Sequence, residues 1–400
     1  MSAIAPRTAK RTETQKEPQA QTRVGSRTVP PFGADTGLRT ELCTDERTFG
    51  GLAEEWGLLY RRSGTATPFQ SHAWLHSWWL SYGTPGRLRL VLVREGGDLV
   101  AAAPLMLARQ PWPALVPLGG SISDFGDVLI EDGERADRAA TALVDGLAAA
   151  ARTALIDFRE VRPGGAMERV YANWRGPRHR APDSLCLELP AVPMDDLIER
   201  LATAKAQQRV RAKLRKLTTL GVERRTVRPD EVDAALRRLL ELHRLQWQGR
   251  KVTTEHLQER FADHLVRSVG PMVRAGDAVV TEFLVDGTVA AVDLTLLSKQ
   301  LAGGYLYGAH PRLREIKADV ATILLYACAQ HGGTDSATGG RRVLSLLRGN
   351  EPYKHHWRPR LVVNQRFLLA RRRTAPLLSA AVCDVAARDR GKKLLDRFLG

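Results

Sequence analysis

The chain has 400 residues, 44% of them apolar, with 60 Lys and Arg against 44 Asp and Glu, a formal net charge of +16. That is enough apolar material to bury a sizeable core in two or three domains, and the cationic surplus asks for an anionic partner: nucleic acid, a phosphate-bearing cosubstrate or a membrane surface. Four scattered cysteines (Cys43, Cys186, Cys328 and Cys383) with no CxxC exclude a disulfide-dense scaffold, and no run of 18 uninterrupted apolar residues is present. With no apolar signal-peptide core near Met1, a soluble cytoplasmic protein is expected.

Residues 1–37 are polar and too poor in apolar side chains to offset their ordering entropy, so a disordered basic tail is expected there. From Leu38 the pattern changes. SHAWLHSWWLSYG predicts a short helix with Ser71 as N-cap, Trp74 and Trp78 one turn apart on one face, and Gly83 closing it. Its His72/His76 pair has metal-binding spacing, but residue 73 is alanine where a metalloprotease needs glutamate, and no acidic ligand follows at a zinc-like distance. No metal is expected. LRLVLVREGGDLVAAAPLML predicts a hairpin turning at Gly96-Gly97. A strand at ALVPLGG, an alanine-rich helix over roughly 135–152 and a strand at ALIDFREV follow.

The same order then returns. EFLVDGTVAAVDLTLL (282–297) is strand, Asp-Gly turn and strand, and its Val289-Ala290-Ala291 repeats Val100-Ala101-Ala102 at an offset of 189. GGYLYGAHP predicts strand and loop, KADVATILLYACAQHG a helix ended by Gly332, and RRVLSLLRG a strand lying 188 or 189 residues after LIDFREV. One offset held across hairpin, helix and strand is the signature of a duplicated domain. Between the units, KAQQRVRAKLRKLTTLG carries six basic residues from Lys205 to Lys216 and no acid, with Val210, Leu214 and Leu217 on one helical face. Two more helices are predicted, at roughly 230–249 and 254–269, the second stopped by Gly270-Pro271. The last 30 residues predict an arginine-rich linker and a terminal amphipathic helix.

Two sequential units of helix, hairpin, strand, helix and strand resemble the GNAT acyltransferase fold. Three segments carry a more specific resemblance to its CelD/BcsL-type, BioF2-like branch: PFQSHAWLHSWW, QRVRAKLRKL and LLRGNEPYKHHW. The resemblance covers about residues 40–370. It implies an α/β (α+β) architecture of two tandem GNAT-like domains, as in the Fem peptidyltransferases, each a mixed sheet flanked by helices. The expected organisation is a tail over 1–37, a degenerate first domain over 38–190, an active second domain over 191–370, and a basic linker with terminal helix over 371–400. Acetyl-CoA or another acyl-CoA is the implied cosubstrate. The glycine signature that cradles a GNAT pyrophosphate is absent, since PRLREIKADVATILL has no glycine between Pro311 and Leu325. Arg312, Arg314 and Lys317 precede the helix instead. Cations at a helix N-terminus are unfavourable unless an anion neutralises them, so these three are the candidate cofactor-binding residues, the alternative being that they point to water.

Acylating an amine needs a base for the amine proton, stabilisation of the oxyanion and an acid for the thiolate. Asp293 interrupts an apolar strand where the first unit has Pro104, and is the first candidate base. Tyr305 and Tyr307 alternate along the next strand, and Tyr305 is a candidate acid or a packing residue. Arg348, Glu351, Tyr353 and Lys354 emerge together from a strand's end. Arg348 can fork onto a carboxylate or phosphate, and with Lys354, Trp74 and Asp124 makes the candidate substrate contacts. Glu351 accepts the amine proton or holds Lys354, and Tyr353 completes the catalytic set. The leading expectation is an acyl-CoA-dependent N-acyltransferase acting on a small or peptidic amine. A Fem-like transferase fed by aminoacyl-tRNA, or a non-catalytic binder of nucleic acid or an anionic surface through the basic face, are the alternatives.

Overall fold

Two hairpin turns with positive φ at both central residues, Gly96-Gly97 (φ 59° and 98°) and Asp286-Gly287 (50° and 71°), mark equivalent places in two halves of one sheet. Their backbone twist matches that of the strands they join, which is why glycine occupies them. The computed structural model describes residues 37–109, 111–248, 253–332 and 343–399. The tail expected over residues 1–37 lies, up to residue 36, outside the described residues.

The first half holds β1 (Leu38–Cys43), β2 (Leu88–Glu95), β3 (Asp98–Ala108), β4 (Ala114–Pro117), the short β5 (Leu129–Ile130), β6 (Leu155–Val161) and β7 (Arg178–Pro190). The second holds β8 (Glu223–Thr226), β9 (Ala278–Val285), β10 (Thr288–Leu297), β11 (Leu301–Ala309), β12 (Val343–Arg348) and β13 (Arg360–Leu369). The helices of the first half are α1 (Glu46–Gly51), α2 (Ala53–Arg62), α3 (His72–Tyr82), α4 (Ala136–Ala150) and α5 (Met167–Asn173). Those of the second are α6 (Met194–Glu199), α7 (Ala204–Thr219), α8 (Val232–Trp247), α9 (Glu259–Ala275), α10 (Arg312–Glu315), α11 (Val320–Ala329) and α12 (Ala375–Leu399). The duplication read from the sequence is visible as element order: β2-β3-β4-α4-β6 answers β9-β10-β11-α11-β12.

All strands join one mixed sheet in the order β1-β2-β3-β4-β6-β13-β7-β12-β11-β10-β9-β8, with β5 beside β3. Neighbours are antiparallel except β4 with β6 and β11 with β12. At the midline the units exchange strands. β7, from the first segment, lies between β12 and β13, while β13, near the end of the chain, pairs with β6. A boundary drawn after residue 190 therefore leaves β7 away from both of its hydrogen-bonding neighbours.

One apolar cluster spans both units on the face covered by α2, α3, α8 and α9, with Trp56, Phe69 and Trp74 of the first meeting Leu239, Phe261 and Leu294 of the second. On the opposite face, α4 and α5 cover the first unit, and α7 and α11 the second. Trp74 stands edge-on to His264, ring centroids 4.4 Å apart, and Ser77 Oγ donates to the His264 carbonyl at 2.9 Å. Burial pushes His264 down to about 3, so the ring packs as a neutral group. One helix boundary departs from expectation: α9 does not stop at Gly270-Pro271 but continues to a left-handed cap at Gly276, φ 77°. Its buried stripe of Phe261, Leu265, Val269 and Met272 continues across the proline, and tertiary burial outweighs the lost backbone donor.

The exchange of β7 and β13 generates a direct expectation. Residues 38–190 and 191–400 expressed as separate chains should each fail to unfold cooperatively in a denaturant titration followed by circular dichroism, because each exposes unpaired central strand edges. Two independent sigmoidal transitions would contradict it.

Candidate active site

β11 and β12 run side by side only where Leu301–Gly303 face Val343–Ser345, and beyond that they separate. The first unit repeats the device, with Ala114-Leu115 of β4 beside Leu155-Ile156 of β6. Parting parallel strands open a crevice at their carboxyl ends, where α/β proteins place ligands. In the second unit α8 closes on one wall of it. Gly308 permits this approach, since a Cβ there would lie 2.4 Å from both the His243 nitrogen and the Leu239 carbonyl oxygen. His243 Nδ1 lies 2.7 Å from the Tyr307 carbonyl oxygen, and the Ala309 N–H donates to Gln246 Oε1 at 3.0 Å. Side chains of α8 thus satisfy the distal part of β11, and the stretch around Gly304–Leu306 forms the mouth.

The start of α11 has no glycine and is capped by the protein's own side chains. Lys317 adopts φ 57°, a conformation that costs a non-glycine residue strain, and Asp319 caps the helix through the Thr322 N–H at 2.8 Å. Lys213 of the basic α7 reaches Asp319 at 2.6 Å, which helps hold that carboxyl below its usual range against the opposing effect of burial. Arg312 pairs with Asp286 of the hairpin turn, while Arg314 and Lys317 are exposed. The three candidate anion ligands therefore share one end of α11 with an internal carboxylate already in place.

The turn after β12 links the two units through several side chains. Arg348 donates from its backbone N–H and from Nε to Asp124 Oδ1, each at 3.1 Å, from Nη1 to Glu160 Oε1 at 3.2 Å, and from Nη2 to the Ser121 carbonyl at 2.7 Å. Asn364 Nδ2 donates to the other oxygen of Glu160 at 3.0 Å, and Ser184 Oγ donates to the same oxygen. Lys354 Nζ reaches the Arg348 carbonyl at 3.1 Å and Glu351 at 2.8 Å. Burial pushes the Asp124 carboxyl up, against the pull of Arg348. All three guanidinium nitrogens are engaged by the protein itself, so Arg348 organises this corner, with Asp124, Glu351 and Lys354 gathered around it.

The other candidates are distributed on both faces of the sheet. Asp293 is 2% exposed on the face beneath α11, accepts a hydrogen bond from Thr295 Oγ1 at 2.7 Å, and forms no ion pair among the described residues. Desolvation pushes it up to about 7. Tyr307 is its partner across the ladder. Tyr305 and Tyr307 do not share a face as their spacing predicts, because the register shifts between Leu294 and Thr295. The bulge turns Tyr305 toward Phe69 and Trp74, where its hydroxyl donates to the Ile122 carbonyl at 2.8 Å. Burial pushes that phenol well above its ordinary range, so it keeps its proton. Trp74 has no exposed surface and bonds through Nε1 to Ser123 Oγ at 2.8 Å, which makes it a packing residue supporting the 121–124 loop. Tyr353 is 57% exposed, and a half-buried Tyr307 lies near enough to interact with it electrostatically. His72 and His76 stack with centroids 5.3 Å apart in a cleft of about 480 Å³ between α2, α3 and α9, and His72 Nε2 lies 2.8 Å from the Phe49 carbonyl oxygen. Among the described residues no group of three or more His, Cys, Asp or Glu is placed to hold a metal.

Glu160, Asn364, Ser184, His243 and Gln246 were not singled out by the sequence. Glu160 sits in a strand-like DFREV with nothing local to announce φ 57°, and Asn364 and Ser184 become neighbours only through the strand exchange.

Comparison with known proteins bears on this geometry. Residues 204–355 match the model of the acetyltransferase (GNAT) domain. No curated protein matches the chain. Among solved structures, FemX is similar at a TM-score of 0.56 and 12% identity, covering 82% of this chain and 98% of that one. The C-terminal domain of a lysylphosphatidylglycerol synthetase, described as putative, from Agrobacterium fabrum is similar at 0.51 and 13%, covering 84% and 96%. A conserved protein of unknown function from Bacteroides thetaiotaomicron is similar at 0.51 and 13%, covering 82% and 99%. The chain thus has the fold of the GNAT transferases, and the part that matches as a GNAT domain holds the crevice between β11 and β12.

Proposed function

We propose that this chain transfers an acyl group, acetyl in the simplest case, from an acyl-CoA thioester to an amine of a small-molecule or peptidic substrate, in the crevice at the carboxyl ends of β11 and β12. The parting of these two strands inside the segment that matches the GNAT domain carries the reading. A thioester lying along the mouth of β11 would run beside the edge that β12 leaves after Gly303, and backbone N–H donors on such an edge can stabilise a tetrahedral oxyanion. Placement in the CelD/BcsL-type branch belongs to the same proposal and rests on the run from Arg348 to Lys354.

Asp293 is the proposed base. Asp124 and Glu160 face Arg348, and Glu351 faces Lys354. Asp293 alone of these four carboxyls has its ionisation set by burial without a cation, so it can take and release a proton near neutrality. Tyr307 across the ladder and the exposed Tyr353 give a path from solvent toward it. The amine nitrogen attacks the thioester carbonyl and its proton passes along this path to Asp293. The C–S bond then breaks, and the departing thiolate takes a proton from Tyr353 or from water. Arg348 and Lys354 position the turn that carries Tyr353, and Arg312, Arg314 and Lys317 lie where a diphosphate at the start of α11 would meet them.

A second donor is supported by one specific feature. The N-terminus of α11 is already occupied by Asp319 and Lys213, and the basic α7 lies beside it, which suits an aminoacyl group delivered by tRNA better than a CoA diphosphate. Thiol release from acetyl-CoA, measured against a panel of primary amines, separates the two. Amine-dependent release supports the acyl-CoA reading, whereas transfer only from aminoacyl-tRNA replaces it.

Replacing Asp293 by Asn should lower kcat by about 10²-fold or more while leaving Tm equal or higher, because the neutral amide is cheaper to bury. For the wild type, kcat/KM should rise with pH through about 7 as Asp293 ionises. The folded-state value lies above the unfolded one, so stability should fall as pH rises from about 4 toward 7. Asp293→Asn should reduce that fall, and chemical denaturation at several pH values reads it. Tyr353→Phe, at an exposed position, should reduce turnover with Tm within about 1 °C of wild type, a negligible change in stability. A large drop in Tm for either variant would make the residue structural.

A further inference from the structure

The donor path proposed above runs from the mouth of β11 to the start of α11, so the arm joining a thioester to its diphosphate has to pass Tyr307 and Ala309. The ladder fixes which edge those residues present. The His310 N–H donates to the Ala290 carbonyl at 2.8 Å, and successive residues of a strand turn their backbone groups to opposite sides. Gly308 and His310 therefore face β10, while Tyr307 and Ala309 face the side that β12 leaves beyond Gly303.

That edge is already covered. Two side chains of α8, one turn apart on one helix face, reach it together. His243 Nδ1 lies 2.7 Å from the Tyr307 carbonyl oxygen, and Gln246 Oε1 accepts from the Ala309 N–H at 3.0 Å. A carbonyl only accepts, so in this bond the imidazole carries its proton on Nδ1. One donor and one acceptor on α8 thus serve β11 as a neighbouring strand would. His243 is buried, its ring stands 5.4 Å from that of His256, and His256 is stacked on Phe261 at 4.7 Å. The helix itself lies on β11 at Gly308, where there is no room for a Cβ. Uncovering the edge therefore takes rotation of two side chains and leaves α8 in place.

We propose that His243 and Gln246 are donor-selecting residues: they compete with a pantetheine arm for the edge of β11, and a CoA thioester binds fully only when they release it. This deepens the acyl-CoA reading and rests on it. The arm carries two secondary amides, and an N–H and C=O in an extended ligand are the groups that pair with an uncovered strand edge. Against a covered edge those amides give up their hydrogen bonds to water without replacement, which is unfavourable. The apparent affinity for CoA is then reduced by the fraction of molecules in which the edge is open. A donor whose carrier leaves the crevice before Tyr307 meets no such competition.

The test is calorimetric titration of the full chain with CoA, pantetheine and ADP, on wild type, Gln246→Ala and His243→Ala/Gln246→Ala. Gln246 is half-buried and alanine favours the helix, so the single variant gives a reading even where the double variant is too unstable to titrate. CoA and pantetheine should bind at least about twofold more tightly to the single variant and at least about fivefold more tightly to the double. ADP, which lacks the arm, should bind all three proteins equally. Tm without ligand should fall in both variants, and tighter binding by a less stable protein marks a competing contact. A contact that only holds the fold would weaken binding along with stability. Turnover of acetyl-CoA by wild type, with equal or weaker CoA binding by both variants, would overturn this proposal and leave the acyl-CoA reading standing. No binding of CoA or pantetheine to any of the three, with no thiol release, would overturn both. An equal gain with ADP would place the effect at the diphosphate end and overturn the selection of the arm.

Discussion

Guanidiniums tie the two halves of this molecule together, and the one that engages two carboxylates at the mouth of the crevice is Arg348. Arg348, at the end of β12, reaches Asp124 and Glu160 of the first unit, and it does so because both β6 and β12 break regular pairing at equivalent points. Glu160 and Leu347 each adopt φ 57°, and the ladders of β6 with β13 and of β12 with β7 both shift register there. A non-glycine residue in that conformation costs about 1–3 kcal/mol and persists only where its surroundings impose it. Here the surroundings are each other. The two bulges meet across the exchanged strands, and the half-buried carboxylates would be costly without the arginine between them.

This constraint positions the crevices. Turning the ends of β6 and β12 outward leaves β4 and β11 without parallel partners beyond their first residues, which creates a crevice in each unit. The crevices are not equal. In the second, β10 carries Asp293, β11 carries the tyrosines, and the turn from Gly349 to Trp357 supplies Tyr353 and Lys354. In the first, Pro104 stands at the position of Asp293, and the corresponding turn is RPGG, with Asp127 committed to accepting the N–H groups of Val128, Ala166 and Met167 at 2.7–2.8 Å. The first unit contributes walls and carboxylates to its neighbour.

Much of the layout was legible because local chemistry and tertiary fold agree. The hairpin at Gly96-Gly97, the Ser71 cap, the α7 segment and the repeat between VAA motifs all follow from patterns with one reading. What was not legible arises from long-range geometry. The alternation of Tyr305 and Tyr307 predicts one shared face, but a bulge invisible in the sequence separates them. Trp74 looks like an aromatic contact surface in isolation and is wholly buried once α9 packs on α3. Pro271 looks like a helix terminator and is carried through by the apolar stripe on either side of it. Glu160 and Asn364, 204 positions apart, are neighbours only because β7 and β13 cross the midline.

The central claim is that one crevice, in the second unit, takes the acyl donor. Amide hydrogen exchange with and without saturating acetyl-CoA tests it most directly. The account predicts new protection confined to β11 from Gly303 to Ala309 and to the first turn of α11, with residues 114–122 unchanged. Protection at 114–122 instead, or none anywhere under conditions of demonstrated turnover, would contradict it.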